Sequence, residues 1–223
     1  MTEKFLIIIP AFNAASTLGN VIDAARRYMT GIEILVINDG STDRTEEIAR
    51  QKNVLVISHQ KNLGKGAALK SAFQYALEND VPYLVTMDAD LQHDPSVLPA
   101  MIKFFLEKNW DIVIGSRERN RRMSLDRIFS NTLTSWLISL RAKTKIPDSQ
   151  SGYRILKTEV LRNMELTTSG YETESEIIIL AGRNKCRFGF FPVPTIYANE
   201  TSHIRRWRDT WRFVKMYFHT LLK

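Results

Sequence analysis

The chain has little cysteine and no long apolar run. Cys186 is the single cysteine among 223 residues, which excludes an intramolecular disulfide framework and is typical of a reducing compartment. No apolar stretch approaches the ~20 residues that a membrane-spanning helix needs. No signal peptide precedes residues 5–9, the first strand-like segment. These absences predict a globular chain in the cytoplasm.

Negative charge is scarce in the second half of the chain. The net charge is +7 at pH 7, of which residues 1–110 carry −2 and residues 111–223 carry +9. Such asymmetry predicts that the second half meets a polyanion. Nucleic acid, an acidic membrane surface and a phosphorylated substrate all satisfy this condition, and composition does not choose among them.

Apolar and amphipathic segments alternate through the first half of the chain. Short apolar runs predict strands over residues 5–9, 32–37, 54–58, 83–87 and 111–115. Helical periodicity between them predicts helices over residues 16–28, 42–52, 66–78 and 97–108, the first two capped by Ser16 and Thr42. This order predicts one α/β domain with a mostly parallel sheet between two layers of helices.

The pattern changes after Ser116. An arginine-rich stretch leads into a predicted helix over residues 125–140, and a second helix is predicted near residues 174–182. A strand is predicted near residues 189–197, followed by a final helix from Trp207 onward.

Two carboxylates, Asp88 and Asp90, directly follow the predicted strand over residues 83–87. They fall at the carboxyl edge of the sheet, where open α/β sheets bind ligands. Two like charges separated by one residue are costly unless a cation lies beside them. Mg²⁺ and Mn²⁺ take one or two carboxylates and complete their coordination with substrate phosphates and water. The pair therefore predicts a metal-chelated diphosphate, with a solvated turn as the alternative.

Other polar residues follow the neighbouring predicted strands. Asp39 ends the second strand and can accept hydrogen bonds from a ribose or a base, whereas Thr42 and Asp43 are typical of a helix cap. The loop over residues 10–13 can pack a base. Residues 62–66 are glycine-rich but lack the spacing of a Walker sequence, which gives kinase chemistry little support. Lys65 in that loop is either a partner of the diphosphate or an ordinary surface lysine.

Five short motifs follow one another along the chain: PAFN at 10–13, NDGSTD at 38–43, NLGKGAA at 62–68, DADLQHDP at 88–95 and GSR at 115–117. Their order resembles that of family 2 glycosyltransferases. A sixth motif, DSQSGYR at 148–154, is similar to the branch that contains dolichol-phosphate mannose synthase and bacterial polyprenyl-phosphate glycosyltransferases. Each motif alone is weak, but the ordered set spans nearly the whole chain.

The resemblance implies a single GT-A-type domain, residues 1–200, that binds a UDP- or GDP-sugar with Mg²⁺ or Mn²⁺ and inverts the anomeric carbon. Residues 1–116 would form the nucleotide-sugar and metal half, and residues 117–200 the acceptor half. Asp88, Asp90 and Gln92 would bind the metal, and Asp90 would also be catalytic. The implied donor-binding residues are Pro10, Ala11, Asn13, Asp39, Lys65, Asp88 and Arg206. Ala11 and Ala14 depart from the Thr and Glu that many members carry in the first loop.

The arginine-rich stretch predicts a phosphate acceptor. A lipid phosphate has a second pKa of about 6, so its oxygen is ionised near neutral pH and needs cationic positioning more than a general base. Arginine holds phosphate oxygens through paired hydrogen bonds. We therefore expect Arg117 and Arg127 to be catalytic and to bind the acceptor, with Ser151 and Arg154 as further acceptor contacts. A same-fold alternative, transfer to a sugar hydroxyl, would use Glu172 or Glu174 as the base.

Residues 201–223 predict a basic amphipathic helix. One narrow face carries the apolar residues and one flank the basic residues: Trp207, Trp211, Val214, Phe218, Leu221 and Leu222, with Arg208, Arg212, Lys215 and Lys223 beside them. Such a helix is typical of a membrane interface, and the alternative is packing on the core. We expect a peripheral protein that reaches a polyprenyl phosphate at the cytoplasmic face of an anionic membrane.

Two functions of other classes stay open. A basic nucleic-acid-binding protein would lose affinity steeply with salt, but carboxylates at three strand ends would repel phosphates in the absence of a metal, so we expect no nucleic-acid partner. A catalytically inactive nucleotide-sugar sensor would bind the donor without turnover.

Overall fold

The computed structural model describes residues 3–117, 125–194 and 206–222, with the backbone alone at residues 125–130, 206–208 and 221–222. The described chain forms one seven-stranded sheet of order β3-β2-β1-β4-β6-β5-β7. The strands are β1 Phe5–Ala11, β2 Glu33–Asn38, β3 Leu55–Ser58, β4 Tyr83–Thr86, β5 Ile112–Arg117, β6 Arg154–Lys157 and β7 Phe188–Val193. All neighbouring pairs are parallel except those of β6, so the predicted mostly parallel α/β fold is confirmed.

Helices cover both faces of the sheet. They are α1 Leu18–Tyr28, α2 Thr45–Gln51, α3 Lys65–Glu78, α4 Leu98–Glu107, α5 Leu125–Ala142, α6 Glu172–Arg183 and α7 Arg206–Leu222. Short 3₁₀ helices lie at Pro95–Val97 and Thr158–Leu161.

The core consists of two apolar layers, one on each face of the sheet. Successive side chains of β1 alternate between them: Leu6 and Ile8 pack in the layer covered by α3, α5, α6 and α7, and Ile7 and Ile9 in the layer covered by α1 and α4. This alternation follows from the period of two in a strand. Because both faces are covered, the strands are continuously apolar, which is why the sequence reveals them.

Two predicted helix caps are wrong. The helix predicted from Ser16 has Thr17 at its N-cap position, and the helix predicted from Thr42 has Arg44 there. In the second case Asp43 accepts hydrogen bonds from the backbone N–H groups of Thr45 and Ala15. These bonds tie the residues before α2 to the loop after β1, which delays the start of the helix.

Strand β6 is not predicted from the sequence. It has four residues, and its first, Arg154, is charged yet buried. Arg154 pairs antiparallel with Thr86 of β4 and Ile114 of β5. Since β6 runs opposite to its neighbours, it begins where they end. The loop over residues 148–153 is thereby placed at the carboxyl edge of the parallel strands.

Candidate active site

A tight turn after β4 carries the two predicted metal-binding carboxylates. The backbone N–H of Asp88 donates to His93 Nδ1 at 3.1 Å, and the His93 ring stacks on Tyr153 at 4.9 Å between centroids. Asp90 Oδ1 accepts a hydrogen bond from the backbone N–H of Gln92 at 3.0 Å. Between them Leu91 adopts a φ of +61°, a left-handed conformation that is costly for a branched side chain and compresses the turn.

Lys65 is enclosed by two carboxylates. Its Nζ lies 2.5 Å from Asp88 Oδ1 and 3.3 Å from Glu174 Oε1, and only 16% of its side chain is exposed. Burial favours the neutral forms, but the opposite charges outweigh it: the pKa of Asp88 is lowered by Lys65, and the pKa of Lys65 is raised by Asp88 and Glu174. Lys65 is therefore a charged site residue rather than an ordinary surface lysine.

The side chains of the turn carry the oxygen ligands that a hard cation prefers. Asp90 supplies carboxylate oxygen and Gln92 amide oxygen, the ligand types that Mg²⁺ and Mn²⁺ prefer. Asp88 is already paired with Lys65. Within residues 3–117, 125–194 and 206–222, no three His, Cys, Asp or Glu side chains are grouped to hold a metal ion. The metal roles of Asp88, Asp90 and Gln92 stay predictions.

Asp39 is buried and already hydrogen-bonded. His59 Nδ1 lies 2.7 Å from its Oδ1, and the backbone N–H groups of Leu63 and Gly64 donate to its two oxygens at 2.9 and 2.8 Å. A carboxylate has about four acceptor positions, so little capacity is left for the predicted nucleoside contact. Asp39 anchors the loop that precedes Lys65, and its nucleoside contact stays a prediction. His59 is a residue that sequence analysis missed, although it directly follows β3 at the same edge.

Asn13 joins two loops of the predicted donor half. Its Oδ1 accepts from the backbone N–H of Thr42 at 2.9 Å, and its own N–H donates to Ser41 Oγ at 3.0 Å. Pro10 and Ala11 end β1, and Ala11 is buried. The structure thus brings these predicted residues to one rim with Asp39, while their contacts with a nucleotide stay predictions.

Arg117 is paired with Asp148 in a two-pronged ion pair. Its Nε and Nη2 donate to the two oxygens of Asp148 at 2.8 and 3.1 Å. Burial raises the pKa of Asp148, but Arg117 outweighs burial and lowers it. Arg117 lines one cleft with Asp88, Gln92 and His93. Its position suits the predicted acceptor role, although its Nε–H and one Nη2–H are already bonded to Asp148.

Arg154 and Ser151 are buried beneath the cleft. The Arg154 guanidinium donates to the backbone carbonyls of Ser149, Ser151 and Glu174 at 2.7–3.1 Å. Ser151 Oγ accepts from the backbone N–H of Tyr153 at 3.4 Å. Both residues shape the loop from within, since only 3% and 2% of their surfaces are exposed, and their acceptor contacts stay predictions.

Two predicted arginines lie outside the described side chains. Arg127 is in α5 and Arg206 begins α7, and their predicted roles depend on side chains beyond the described residues. The same holds for residues 118–124 and 195–205, which include the arginine-rich stretch.

The acidic residues of α6 have different surroundings. Glu174 faces Lys65, and Glu176 accepts hydrogen bonds from Thr167 and Thr168. Glu172 Oε1 accepts from the backbone N–H of Gly170, while its buried Oε2 has no hydrogen-bond partner among the described residues. Glu172 is thus the less constrained of the two candidate bases.

Helix α7 packs through a different stripe from the predicted apolar face. Met216 and Thr220 are buried against the core, with Phe213 and Tyr217 partly buried beside them. Trp211 is 71% exposed. The packing on the core therefore uses other residues than the predicted apolar face, and the membrane interface stays a prediction.

Helix α5 adds a second exposed apolar stripe. Leu133, Trp136 and Leu140, spaced for one helix face, are exposed. The ends of α5 and α7 are joined, because the Arg141 guanidinium donates to the Thr220 carbonyl. None of the helices that the structure describes is long and apolar enough to cross a membrane.

Comparison with known proteins identifies the family. A sequence profile described as Glycosyl transferase family 2 matches residues 6–164. A UDP-N-acetylglucosamine–dolichyl-phosphate N-acetylglucosaminyltransferase of Methanococcus voltae is 31% identical over 221 residues, covering 88% of this chain and 88% of that protein. A dolichol-phosphate mannosyltransferase of Pyrococcus furiosus is 32% identical over 188 residues, covering 79% of this chain and 52% of that protein.

Solved structures confirm the fold. Glucosyl-3-phosphoglycerate synthase from Mycobacterium tuberculosis, crystallised with Mn²⁺ and UDP-glucose, superposes with a TM-score of 0.75 at 19% identity, covering 99% of this chain and 78% of that chain. The domain has the predicted GT-A-type architecture. Profile, relatives and fold agree: the chain is a glycosyltransferase and belongs to glycosyl transferase family 2.

Proposed function

We propose that the protein transfers a sugar from a UDP- or GDP-sugar to a polyprenyl phosphate, with inversion at the anomeric carbon. The observation that carries the proposal is the cleft after β4, where the Asp88–Lys65 and Arg117–Asp148 pairs stand around Gln92. Such a cleft offers charge of both signs to a metal-bound diphosphate and to a phosphate acceptor. The names of the two relatives support a dolichyl-phosphate type of acceptor.

The chain's own residues would divide the work between the two substrates. Asp90, Gln92 and, once released from Lys65, Asp88 would hold Mg²⁺ or Mn²⁺, which when bound supplies Lewis-acid stabilisation of the leaving diphosphate. Lys65 would add a positive charge on the same side. Arg117, with Arg127, would hold the acceptor phosphate, whose oxygen is ionised near neutral pH and attacks without a general base.

The acceptor would be reached at an anionic membrane surface. The exposed stripe of α5 carries Trp136 and that of α7 carries Trp211, and Lys215 is exposed beside the stripe of α7. Apolar aromatic residues flanked by basic ones bind the headgroup region of anionic bilayers. In this division residues 1–116 serve the donor, residues 117–200 the acceptor, and residues 201–223 the membrane on its cytoplasmic side.

The acceptor class can be tested directly with radiolabelled donors. Purified protein is incubated with labelled UDP- and GDP-sugars, Mn²⁺, and either a short-chain polyprenyl phosphate or an oligosaccharide. We expect label in the lipid extract. Label confined to the oligosaccharide would contradict the proposal and favour a hydroxyl acceptor, for which Glu172, with its unpartnered buried oxygen, is the candidate base.

Asp90→Asn removes the carboxylate assigned to the metal. We expect transfer to fall by about 100-fold or more, the order found when one stabiliser of developing charge is deleted. Asp80→Asn is the matched control because its side chain is 90% exposed and forms one ion pair among the described residues, with Arg162 at 3.8 Å. Equal rates for Asp90→Asn and the parent enzyme would remove Asp90 from the mechanism.

A further inference from the structure

Glu174 is the second carboxylate beside Lys65. It lies in the first turn of α6, 7% of the residue is exposed, and its Oε1 is 3.3 Å from Lys65 Nζ. Its backbone carbonyl accepts a hydrogen bond from Arg154 at 2.7 Å. Glu174 is thus held on rigid structure, whereas Asp88, the second partner of Lys65, lies in a loop.

We propose that Glu174 is a positioning residue that keeps Lys65 directed at the β-phosphate of the donor. The inference rests on the proposed function, since it needs a nucleotide diphosphate in the cleft. It assigns to Glu174 a role other than that of a general base.

The argument follows from the two partners of Lys65. When Asp88 turns towards a cation, Lys65 loses its 2.5 Å partner, and Glu174 is the ion-pair partner that remains among the described residues. A buried ammonium on a flexible four-carbon chain needs a fixed partner to remain charged and in place. Glu174 supplies that partner from helix α6, so the ammonium can exchange Asp88 for a phosphate oxygen and stay in place.

The surroundings of Glu174 also disfavour proton abstraction. Lys65 and the buried Arg154 guanidinium both lie against it, and its Oε1 is 3.1 Å from the position that a Gly152 Cβ would take. Its Oε1 already faces the ammonium, and its burial leaves little room for an acceptor hydroxyl. No acceptor hydroxyl needs to reach it under this assignment.

The test compares nucleotide diphosphates with monophosphates. Calorimetry with Mn²⁺ measures the affinities of UDP, UMP, GDP and GMP for the parent protein, Glu174→Gln, Lys65→Met and the double variant. We expect Glu174→Gln to weaken the preferred diphosphate about tenfold or more and to leave its monophosphate within about twofold, because a single charge-assisted bond to the β-phosphate is lost. The double variant should be no weaker than Lys65→Met alone, since coupled residues are non-additive.

Controls separate positioning from damage to the fold. Glu159→Gln, whose side chain is 70% exposed, should change nothing, and Glu174→Asp should recover part of the diphosphate affinity by restoring the charge. Equal weakening of the diphosphate and the monophosphate, or additive losses in the double variant, would overturn this inference while leaving the transferase proposal standing. A parent protein that binds neither UDP nor GDP would overturn both.

Discussion

Gly152 shows how the absence of one side chain shapes the site. A Cβ at this position would stand 2.8 Å from Asp88 Oδ2 and 3.1 Å from Glu174 Oε1. We expect Gly152→Ala to displace both carboxylates from Lys65 and to reduce transfer at least about tenfold, while the melting temperature changes by only a few degrees. Steady-state rates and thermal unfolding of the same preparation measure the two effects.

Gly19→Ala provides the comparison. Gly19 lies in α1, and a Cβ there would meet Ile48 and Lys52 at an ordinary contact distance of 3.5 Å. The alanine should therefore raise the unfolding free energy by about 0.5–1 kcal/mol and leave transfer unchanged. If both glycine variants retained full transfer, the close packing around Gly152 would have no bearing on the reaction.

Single residues show where sequence analysis succeeds and where it stops. Asp88 and Lys65 were placed at the sheet edge by the strands and glycine-rich loop that precede them. The partner of Lys65, Glu174, lies far away in the chain on α6, and no local pattern connects the two. The paired hydrogen bonds that arginine makes to phosphate predict an acceptor contact for Arg154, whereas in the structure its guanidinium donates to three backbone carbonyls.

Helix α7 carries two apolar stripes, one buried and one exposed. Met216 packs in the core, so Met216→Ala should cost about 2–5 kcal/mol of unfolding free energy. Trp211 and Phe218 are exposed, so changing either to Ala should leave the unfolding free energy within about 0.5 kcal/mol and weaken binding to anionic vesicles about tenfold. Urea unfolding and vesicle co-sedimentation distinguish the stripes, and unchanged sedimentation of both exposed-stripe variants would contradict membrane docking through α7.

Elements of regular periodicity were predicted, and short irregular ones were not. The longer helices α3 and α5 were placed within two residues of their observed ends, because apolar residues recur at helical spacing along both. The sequence does not predict strand β6, because its four residues begin with an arginine and show no alternation of apolar and polar residues. The final helix was found, but its buried stripe was not, since Trp211 and Phe218 outweigh Phe213 and Met216 in apolar bulk.

The stability of the whole molecule should depend on pH through its buried carboxylates. Burial raises the pKa of Glu176, but hydrogen bonds from Thr167 and Thr168 outweigh it and lower the pKa. The lowered pKa means that Glu176 stabilises the fold above its unfolded value of about 4.3 and stops doing so as the pH falls through the folded value. Arg117 likewise lowers the pKa of Asp148, so this carboxylate also stabilises the fold at neutral pH and stops doing so as the pH falls.

Glu176→Gln tests this dependence. At pH 7 the variant should be about 1–3 kcal/mol less stable than the parent protein, and the difference should shrink as the pH is lowered below about 4. Urea unfolding at several pH values measures both curves, with Glu107→Gln, 59% exposed, as the neutral control. A difference that stays constant between pH 7 and pH 3 would mean that the charge of Glu176 contributes nothing.

The reversed direction of β6 has a consequence for how such enzymes diversify. An antiparallel strand inserted between β4 and β5 delivers its preceding loop, residues 148–153, to the mouth of the cleft without interrupting any donor-side crossover. Under the proposed function, a change at residues 149–151 would alter what approaches the sugar, whereas Gly152 has to stay because a larger residue would displace Asp88 and Glu174 on the donor side. We therefore expect that grafting this loop from one relative onto another transfers the acceptor preference of the donor of the loop.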